Sequence, residues 1–447
     1  MYTALLSGGS GKRLWPLSND KRSKQFVRIL TDDEGRSVSM VQHMWRHLED
    51  AGLAQHTLIC TGKGQAETIS GQLGQVPIAL EPARRDTFPA IALSCLYALE
   101  YLGASEDDAI CFIPVDPYTD DAYFEALPRL EELLRSTDAE IALMGATPDS
   151  PSSKYGYILP EKRCDGYITV SAFREKPSEA EAADLIAEGA LWNCGVFCFR
   201  ISLIKKALEK YGTFNGYDEL YARYQDLPKI SFDYEILEKA KRLVAMPFNG
   251  MWKDLGTWNA IAEQMKQSSL GDVIMADCNN TVAINELAVP VVTMGLSDVV
   301  VVAAPDGILV ADRTASEGLK SVIASLDRPP MFEERSWGTL QTIDITGGDR
   351  CTKRLRLFAG MCSSCHYHEM RDEIWVILSG RGKLILDDDL ISLKPGSTVR
   401  IPRGQHHIVK AITDLDFLEI HMGEEQEDDI IRHGFNFDNE LQRILNL

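Results

Sequence analysis

Over its first ~265 residues the chain alternates short apolar runs with stretches of helical periodicity, and after Gly271 that alternation stops. One architecture cannot carry both textures. "HTLICTG", "DAICFIPVD", "EIALMGAT" and "WNCGVFCFR" read as strands, while "MVQHMWRHLEDAG", "DAYFEALPRLEELLRST" and "EAEAADLIAEGA" read as helices closing near Gly or a polar turn. Strands alternating with helices predict an α/β domain with a largely parallel sheet. Beyond Gly271, "TVAINELAVPVVTMGLSDVVVVAAPDGILVADR" is a string of short β runs broken by turn residues, a small β connector, and "LDRPP" marks the next boundary. From Phe332 to about Met422, "RLRLFAG", "IWVILSGRGKLILDD", "STVRIP" and "HHIVKAI" have the texture of a β-barrel or jelly roll. The expected division is residues 1–267, a connector over 268–328, a barrel over 329–425 and a tail over 426–447 ending in an amphipathic stretch that can dock as a helix. A chain of 447 residues is long enough for two or three such domains.

Charge narrows the partners. With 46 basic against 66 acidic residues the net charge is -20, which argues against a nucleic-acid surface. It leaves room for an anionic substrate, because a few local cations and a metal dominate one pocket. No apolar run reaches the ~18 residues of a membrane span, and the N-terminus lacks a charged-then-apolar leader. The ten cysteines follow no disulfide framework, so reduced thiols and a cytoplasmic location are expected. Cys362-Ser-Ser-Cys365 is one pair at metal spacing; without a second pair it reads as ordinary barrel or loop cysteines.

The first apolar run ends in "SGGSGKRLWPLSNDKRSKQF". Glycines let a backbone approach a ligand closely, and successive amide N–H groups in such a turn form an anion-binding concavity. Arg13 and Lys24 would add charge for a polyphosphate, with Leu6, Gly8, Gly9 and Gly11 lining it. No Gly-Lys-Ser/Thr closes a Walker loop, and Leu14 stands where a dinucleotide fingerprint needs its third glycine. On the glycines alone, a plain tight turn explains the stretch equally well. Downstream, "FIPVD" and "MWKDLGTW" put Asp116 and Asp254 at strand ends, where an α/β sheet collects its ligands. Two such carboxylates suit a Mg²⁺ shared with phosphates, although a lone Asp is commonly a turn or cap residue.

The whole string G-x-G-x-R-L-W-P-L-S with K-Q-F resembles the signature of sugar-nucleotide pyrophosphorylases, in its mannose-1-phosphate guanylyltransferase branch. "EPARRDTFPAIAL", "IPVDPYTDD", "PSSKYGYI", "FREKP", "WNCG", "SFDYEILEK", "GDVIMADCNNTVAI" and "VVVAAPDGILVADR" follow in family order. The departures are Ser23 for a usual proline, Asp86 for Asn, Phe88 for a small residue and Pro117 for His; loss of the proline is expected to loosen the loop before Lys24. The resemblance implies a nucleotide-diphospho-sugar transferase domain, Rossmann-like and of GT-A type. It implies that a sugar-1-phosphate oxygen attacks the α-phosphorus of a nucleoside triphosphate and pyrophosphate leaves, most simply GTP plus mannose-1-phosphate giving GDP-mannose. By the same resemblance Glu81, Arg85 and Thr87 join the nucleotide site. Lys176 holds the sugar phosphate, and Gly156, Glu175, Asn193, Gly195 and Asp233 face the sugar. A different sugar or base remains the alternative. So does a solvated surface pair for Glu175 and Lys176.

The second half carries a sharper spacing. Gly360-x₅-His366-x-His368-x₄-Glu373-x₆-Gly380 and Gly396-x₅-Pro402-x-Gly404-x₂-His407 fit the two cupin motifs, with Ala411 where the second ends in Asn. A cupin is a jelly roll in which three imidazoles and one carboxylate hold a divalent metal, here Zn²⁺, Fe²⁺, Mn²⁺ or Ni²⁺. The fused layout resembles bifunctional mannose-6-phosphate isomerase/guanylyltransferases. Asp372, Ile374 and Ile408 stand where the isomerases carry other polar or basic residues, so isomerisation is expected to be weak or absent although Arg371 is kept. The cupin would then be a metal- or ligand-sensing module or a dimerisation surface, and a homodimer is left open.

Overall fold

A computed structural model describes residues 1–9, 12–326, 328–346, 350–423, 429–433 and 437–445. The chain forms two compact units: Met1–Arg13 with Ser23–Ser268, and Leu14–Arg22 with Ser269–Leu447.

The first unit is built on nine strands: β1 (Tyr2–Leu6), β2 (Thr57–Gly62), β3 (Ile78–Glu81), β4 (Ala109–Pro114), β5 (Ile141–Ala146), β6 (Gly156–Arg163), β7 (Ile168–Glu175), β8 (Leu191–Arg200) and β9 (Leu243–Phe248). Their order across the sheet is β3-β2-β1-β4-β8-β5-β9-β7-β6. Side chains alternate across a strand, and the sequence uses both faces. Ala4, Leu58 and Phe112 enter one core with the helix Thr87–Tyr101; Leu5, Ile59, Cys111 and Ile113 enter another with Met40–Asp50 and Asp121–Ser136. Apolar residues on both faces are what a sheet between two helix layers requires. Local sequence starts the helices: Ser39 with Gln42 and Ser178 with Glu181 each form a reciprocal capping box.

The expectation of a largely parallel sheet needs correction. β1, β2, β3 and β4 are parallel, as are β5 and β9, but β8 runs antiparallel to β4 and β5, and β6 and β7 form an antiparallel pair at the edge. Alternation of strands and helices does not encode direction. "WNCGVFCFR" is a buried strand in either orientation.

In the second unit, the residues after Ser268 coil. Ser269–Leu270, Val282–Asn285 and Val299–Ala304 stack in parallel; so do Val273–Ala276 and Val291–Met294, and Asn279 bridges Ser297. The connector is a short parallel β coil, closed by the antiparallel strand Gly307–Asp312. The segment Leu14–Arg22 belongs with it: Arg22 pairs with Glu286 at 2.8 Å, Asn19 Nδ2 donates to Asp306 Oδ2 at 2.7 Å, and the Trp15 ring packs on Gly307. A six-stranded and a five-stranded antiparallel sheet follow, forming the jelly roll. The helix Phe437–Leu445 inserts Phe437 beside Cys365, Ile385 and Ile408.

Candidate active site and metal centre

β1 delivers its carboxyl end to Ser7, Gly8 and Gly9, which line a cleft of 720 Å³ with Leu6 and Thr87. Gly8 sits close to a neighbour, since a Cβ there would meet Glu81 Oε1 at 3.0 Å. Glu81 lies buried beneath the loop, its carboxyl raised by burial, and accepts a hydrogen bond from Tyr224 Oη at 2.9 Å. Gly11 lies outside the described residues. The Lys24 segment is bolted to the loop from both sides. Ser23 Oγ donates to Gly9 O at 3.0 Å and accepts from Gln65 Nε2 at 2.5 Å, and Gln25 Nε2 donates to Ser7 O at 2.9 Å. The loosening expected from the missing proline is therefore offset by the hydroxyl that replaced it.

Asp116 follows β4 by two residues, and Asp254 ends the short strand Trp252–Asp254. That strand pairs antiparallel with Pro117–Thr119 and sets Asp254 opposite Pro117, so the ribbon delivers both carboxylates to one place. Pro117 opens its strand, a position that tolerates a missing N–H. Lys24 Nζ lies 2.7 Å from Asp116 Oδ2 and 3.9 Å from Asp254 Oδ1. Arg13 is exposed and packs its guanidinium against Gly256, beside Asp254. Burial pushes the Asp116 carboxyl up, but Lys24, aided by Arg13, brings it below its ordinary value; burial and the charge of Asp116 leave Asp254 raised.

The far end of the cleft gathers Gly156, Glu175, Lys176, Asn193, Gly195 and Asp233. Glu175 faces Gly156 in register, and a Cβ on Gly156 would sit 2.6 Å from its Oε2. Lys176 has φ 44 and pairs with Glu175 at 2.7 Å. Asn193 receives Gly195 N–H at 3.0 Å, where β8 bulges and Gly195 takes φ 69. Burial, with the Glu175 and Asp86 charges, pushes Asp233 up to about 6.

One expected residue is not brought in. Arg85 turns away and donates to Leu227 O at 2.9 and 2.6 Å and to Gln225. Of the departures from the family string, Phe88 is fully buried in the core, and Asp86 caps the helix it precedes while its charge reaches Asp233. Sequence reasoning missed Lys154, which lines the cleft and whose charge draws Asp254 down.

In the barrel, His366, His368 and His407 offer ligand atoms within 4.8 Å of one another. His366 pairs with His407 across adjacent strands. Each ring's Nδ1 faces a backbone carbonyl: Ser364 O at 2.8 Å, Asp429 O at 3.1 Å and Gln405 O at 3.1 Å. With Nδ1 donating, each Nε2 carries a lone pair. His407 Nε2 is buried with no hydrogen-bond partner. Glu373 approaches His368 Nε2 at 2.9 Å and His407 Nε2 at 3.7 Å. Burial holds His366 down to about 3 and lowers His407, which keeps both rings neutral, as metal ligands must be. An orphaned imidazole nitrogen converging with two others and a carboxylate fits a divalent metal.

The barrel holds further groups that its sequence motif did not reveal. His421 lies opposite Glu373 in register, 3.7 Å from its Oε1, and bonds Glu419 at 2.5 Å. Arg371 is buried between Glu373 (3.3 Å) and His368 (3.3 Å). Strand alternation was the available signal: Glu419 and His421 share a face with Leu415 and Phe417, a polar pair on an apolar stripe. The same alternation places the positions that differ from the isomerases. Asp372 and Ile374 flank inward Glu373 and face outward, Asp372 pairing with Arg400, while Ile408 packs beneath the terminal helix. These differences lie off the metal-facing surface.

Residues 2–269 match the nucleotidyl transferase family and residues 359–421 the cupin domain. The xanthan biosynthesis protein XanB of Xanthomonas campestris pv. campestris is 31% identical over 96% of this chain and 97% of its own. A mannose-1-phosphate guanylyltransferase of Escherichia coli is 29% identical over 97% of each chain, and the alginate biosynthesis protein AlgA of Pseudomonas aeruginosa 29% over 97% and 96%. A Thermus thermophilus crystal structure described as a mannose-1-phosphate geranyltransferase covers 73% of this chain and 99% of its own at 30% identity, with TM-score 0.63. A model match over residues 2–269 and a relative 31% identical along nearly the whole of both chains place the protein: the chain belongs to the nucleotidyl transferase family and carries a cupin domain in its second half.

Proposed function

We propose that the first unit joins GTP and mannose-1-phosphate to give GDP-mannose and pyrophosphate. One observation carries this reading. Lys24, Asp116 and Asp254 converge at the strand ends of a cleft whose other end presents Lys176, Asn193 and Asp233. Relatives of full length named for the same chemistry support the choice of sugar and base.

The amides after β1 receive the triphosphate, with Arg13 and Lys24 as counter-charges. Lys176 leaves Glu175 to hold the sugar phosphate, and Glu175, Asn193 and Asp233 fix the sugar hydroxyls. A sugar-phosphate oxygen then forms a bond to the α-phosphorus while the α–β bridge breaks and pyrophosphate departs with the electron pair. Such a displacement needs alignment and charge neutralisation more than a covalent nucleophile. Asp116 and Asp254, already gathered around one cation, would hold Mg²⁺, which when bound would supply charge neutralisation to the transferring phosphate. A matrix of nucleoside triphosphates against sugar-1-phosphates, read by pyrophosphate release, tests the reading; strong preference for another pair overturns the substrate choice.

In the barrel, His366, His368, Glu373 and His407 hold one divalent ion, Zn²⁺, Fe²⁺, Mn²⁺ or Ni²⁺. The buried His421–Glu419 pair beside Glu373 favours a second reading, a barrel that isomerises mannose-6-phosphate with His421 moving the proton. A coupled assay for fructose-6-phosphate on metal-replete protein decides it: turnover lost in His421→Gln supports a catalytic barrel, and no turnover confines it to binding. Free thiols at all ten cysteines fit a cytoplasmic setting, and among the described residues no helix is long and apolar enough to cross a membrane.

A further inference from the structure

Lys24 joins two places: its segment is bonded to the loop after β1, and its ammonium pairs with both carboxylates. Ser23 and Gln25 tie the segment to Gly9 O and Ser7 O, so the main chain on either side of Lys24 is fixed. The side chain is stretched away from that loop to Asp116 at 2.7 Å and Asp254 at 3.9 Å, and only 12% of it is exposed. An ammonium is a compact charge on a four-carbon stem, able to change its target without moving the backbone. Two half-buried carboxylates side by side repel each other, and a cation in contact with both relieves that repulsion. Lys24 is in ion-pair contact with both carboxylates.

We propose that Lys24 is a placeholder for the metal. With the cleft empty, its ammonium occupies the position between Asp116 and Asp254 and keeps free divalent cations out. When a nucleoside triphosphate reaches the loop, the phosphates offer Lys24 a stronger anion. It leaves the carboxylates, and the cation accompanying the nucleotide takes its place. Metal and nucleotide binding are then positively coupled through one side chain, and by linkage the coupling acts equally on both. The inference rests on the metal and phosphate roles proposed above.

The test is Mn²⁺ binding to the full chain without nucleotide, followed by the electron paramagnetic resonance of the free ion. His366→Ala and His407→Ala are present in every sample so that the barrel contributes no site. Lys24→Met, close in shape and without charge, is expected to bind Mn²⁺ at least ~10-fold more tightly than the Lys24 protein, since a cation within contact distance of the ligands is removed. Lys24→Arg, retaining the charge, is expected to bind as weakly as Lys24, and Lys24→Gln serves if the Met variant does not fold. Unchanged or weaker Mn²⁺ binding in the uncharged variants overturns the placeholder. Adding Asp116→Asn to Lys24→Met separates this failure from failure of the site itself: the gained binding must vanish. If it persists, the ion does not sit on the carboxylates, and the metal assignment falls together with the inference.

Discussion

At the scale of single residues, the cleft is an arrangement of charges whose removal has separable effects. Asp116→Ala or Asp254→Ala is expected to lower kcat/KM at least ~100-fold, the cost of deleting an element that stabilises transferring charge. Near-wild-type pyrophosphate release by either variant removes their metal role. The two lysines are expected to act on different substrates. Lys24→Ala is expected to weaken nucleotide binding or slow the chemical step, and Lys176→Ala mainly to raise KM for the sugar phosphate. Saturation kinetics in each substrate distinguishes them, and an unchanged sugar-phosphate KM in the Lys176 variant counts against its assignment. Asp233, pushed up to about 6, is neutral below that pH and charged above it. A charged carboxylate accepts hydroxyl hydrogen bonds that the acid accepts less well, so KM for the sugar phosphate should rise as pH falls through about 6. The inflection should disappear in Asp233→Asn.

At the scale of elements, the loop before Lys24 is a structure of its own. Ser23 has φ -68 and ψ 155, a conformation open to proline, yet its hydroxyl makes two hydrogen bonds, one buried and one partly buried. Ser23→Ala is expected to cost roughly 1–2 kcal/mol, and Ser23→Pro less, because a rigid φ restores about 0.4–1 kcal/mol through the unfolded chain. Urea unfolding of the two variants measures the difference; equal losses would mean the ring adds nothing here. How far the sequence discloses such elements depends on what encodes them. Periodicity and caps marked the strands and helices of the first unit, because burial repeats along the chain. The direction of β8 and the ribbon joining Pro117 to Asp254 were not legible, since they depend on contacts between residues far apart in sequence. His366, His368, Glu373 and His407 were legible from spacing alone. His421 carries no motif of its own and showed itself only when its strand came to lie beside Glu373.

At the scale of the whole molecule, the chain carries a nucleotidyl transferase domain and a cupin domain. His366→Ala with His407→Ala is expected to remove the barrel's metal, measured by elemental analysis, while leaving the rate of pyrophosphate release unchanged. A transferase that fails without the barrel ion would show the two sites to be coupled. The segment Leu14–Arg22 has a different consequence, for anyone who would dissect the protein. A cut after Ser268 appears natural on the linear map, yet it would strip away Glu286, Asp306 and Gly307, the partners of Arg22, Asn19 and Trp15. The amputated amino-terminal fragment would keep all its catalytic side chains and lose the anchorage of the stretch strung between Arg13 and Lys24. We expect residues 1–268 alone to be inactive, and co-expression with residues 269–447 to restore pyrophosphate release by fragment complementation, in the manner of a split protein whose break lies beside a tether rather than between domains.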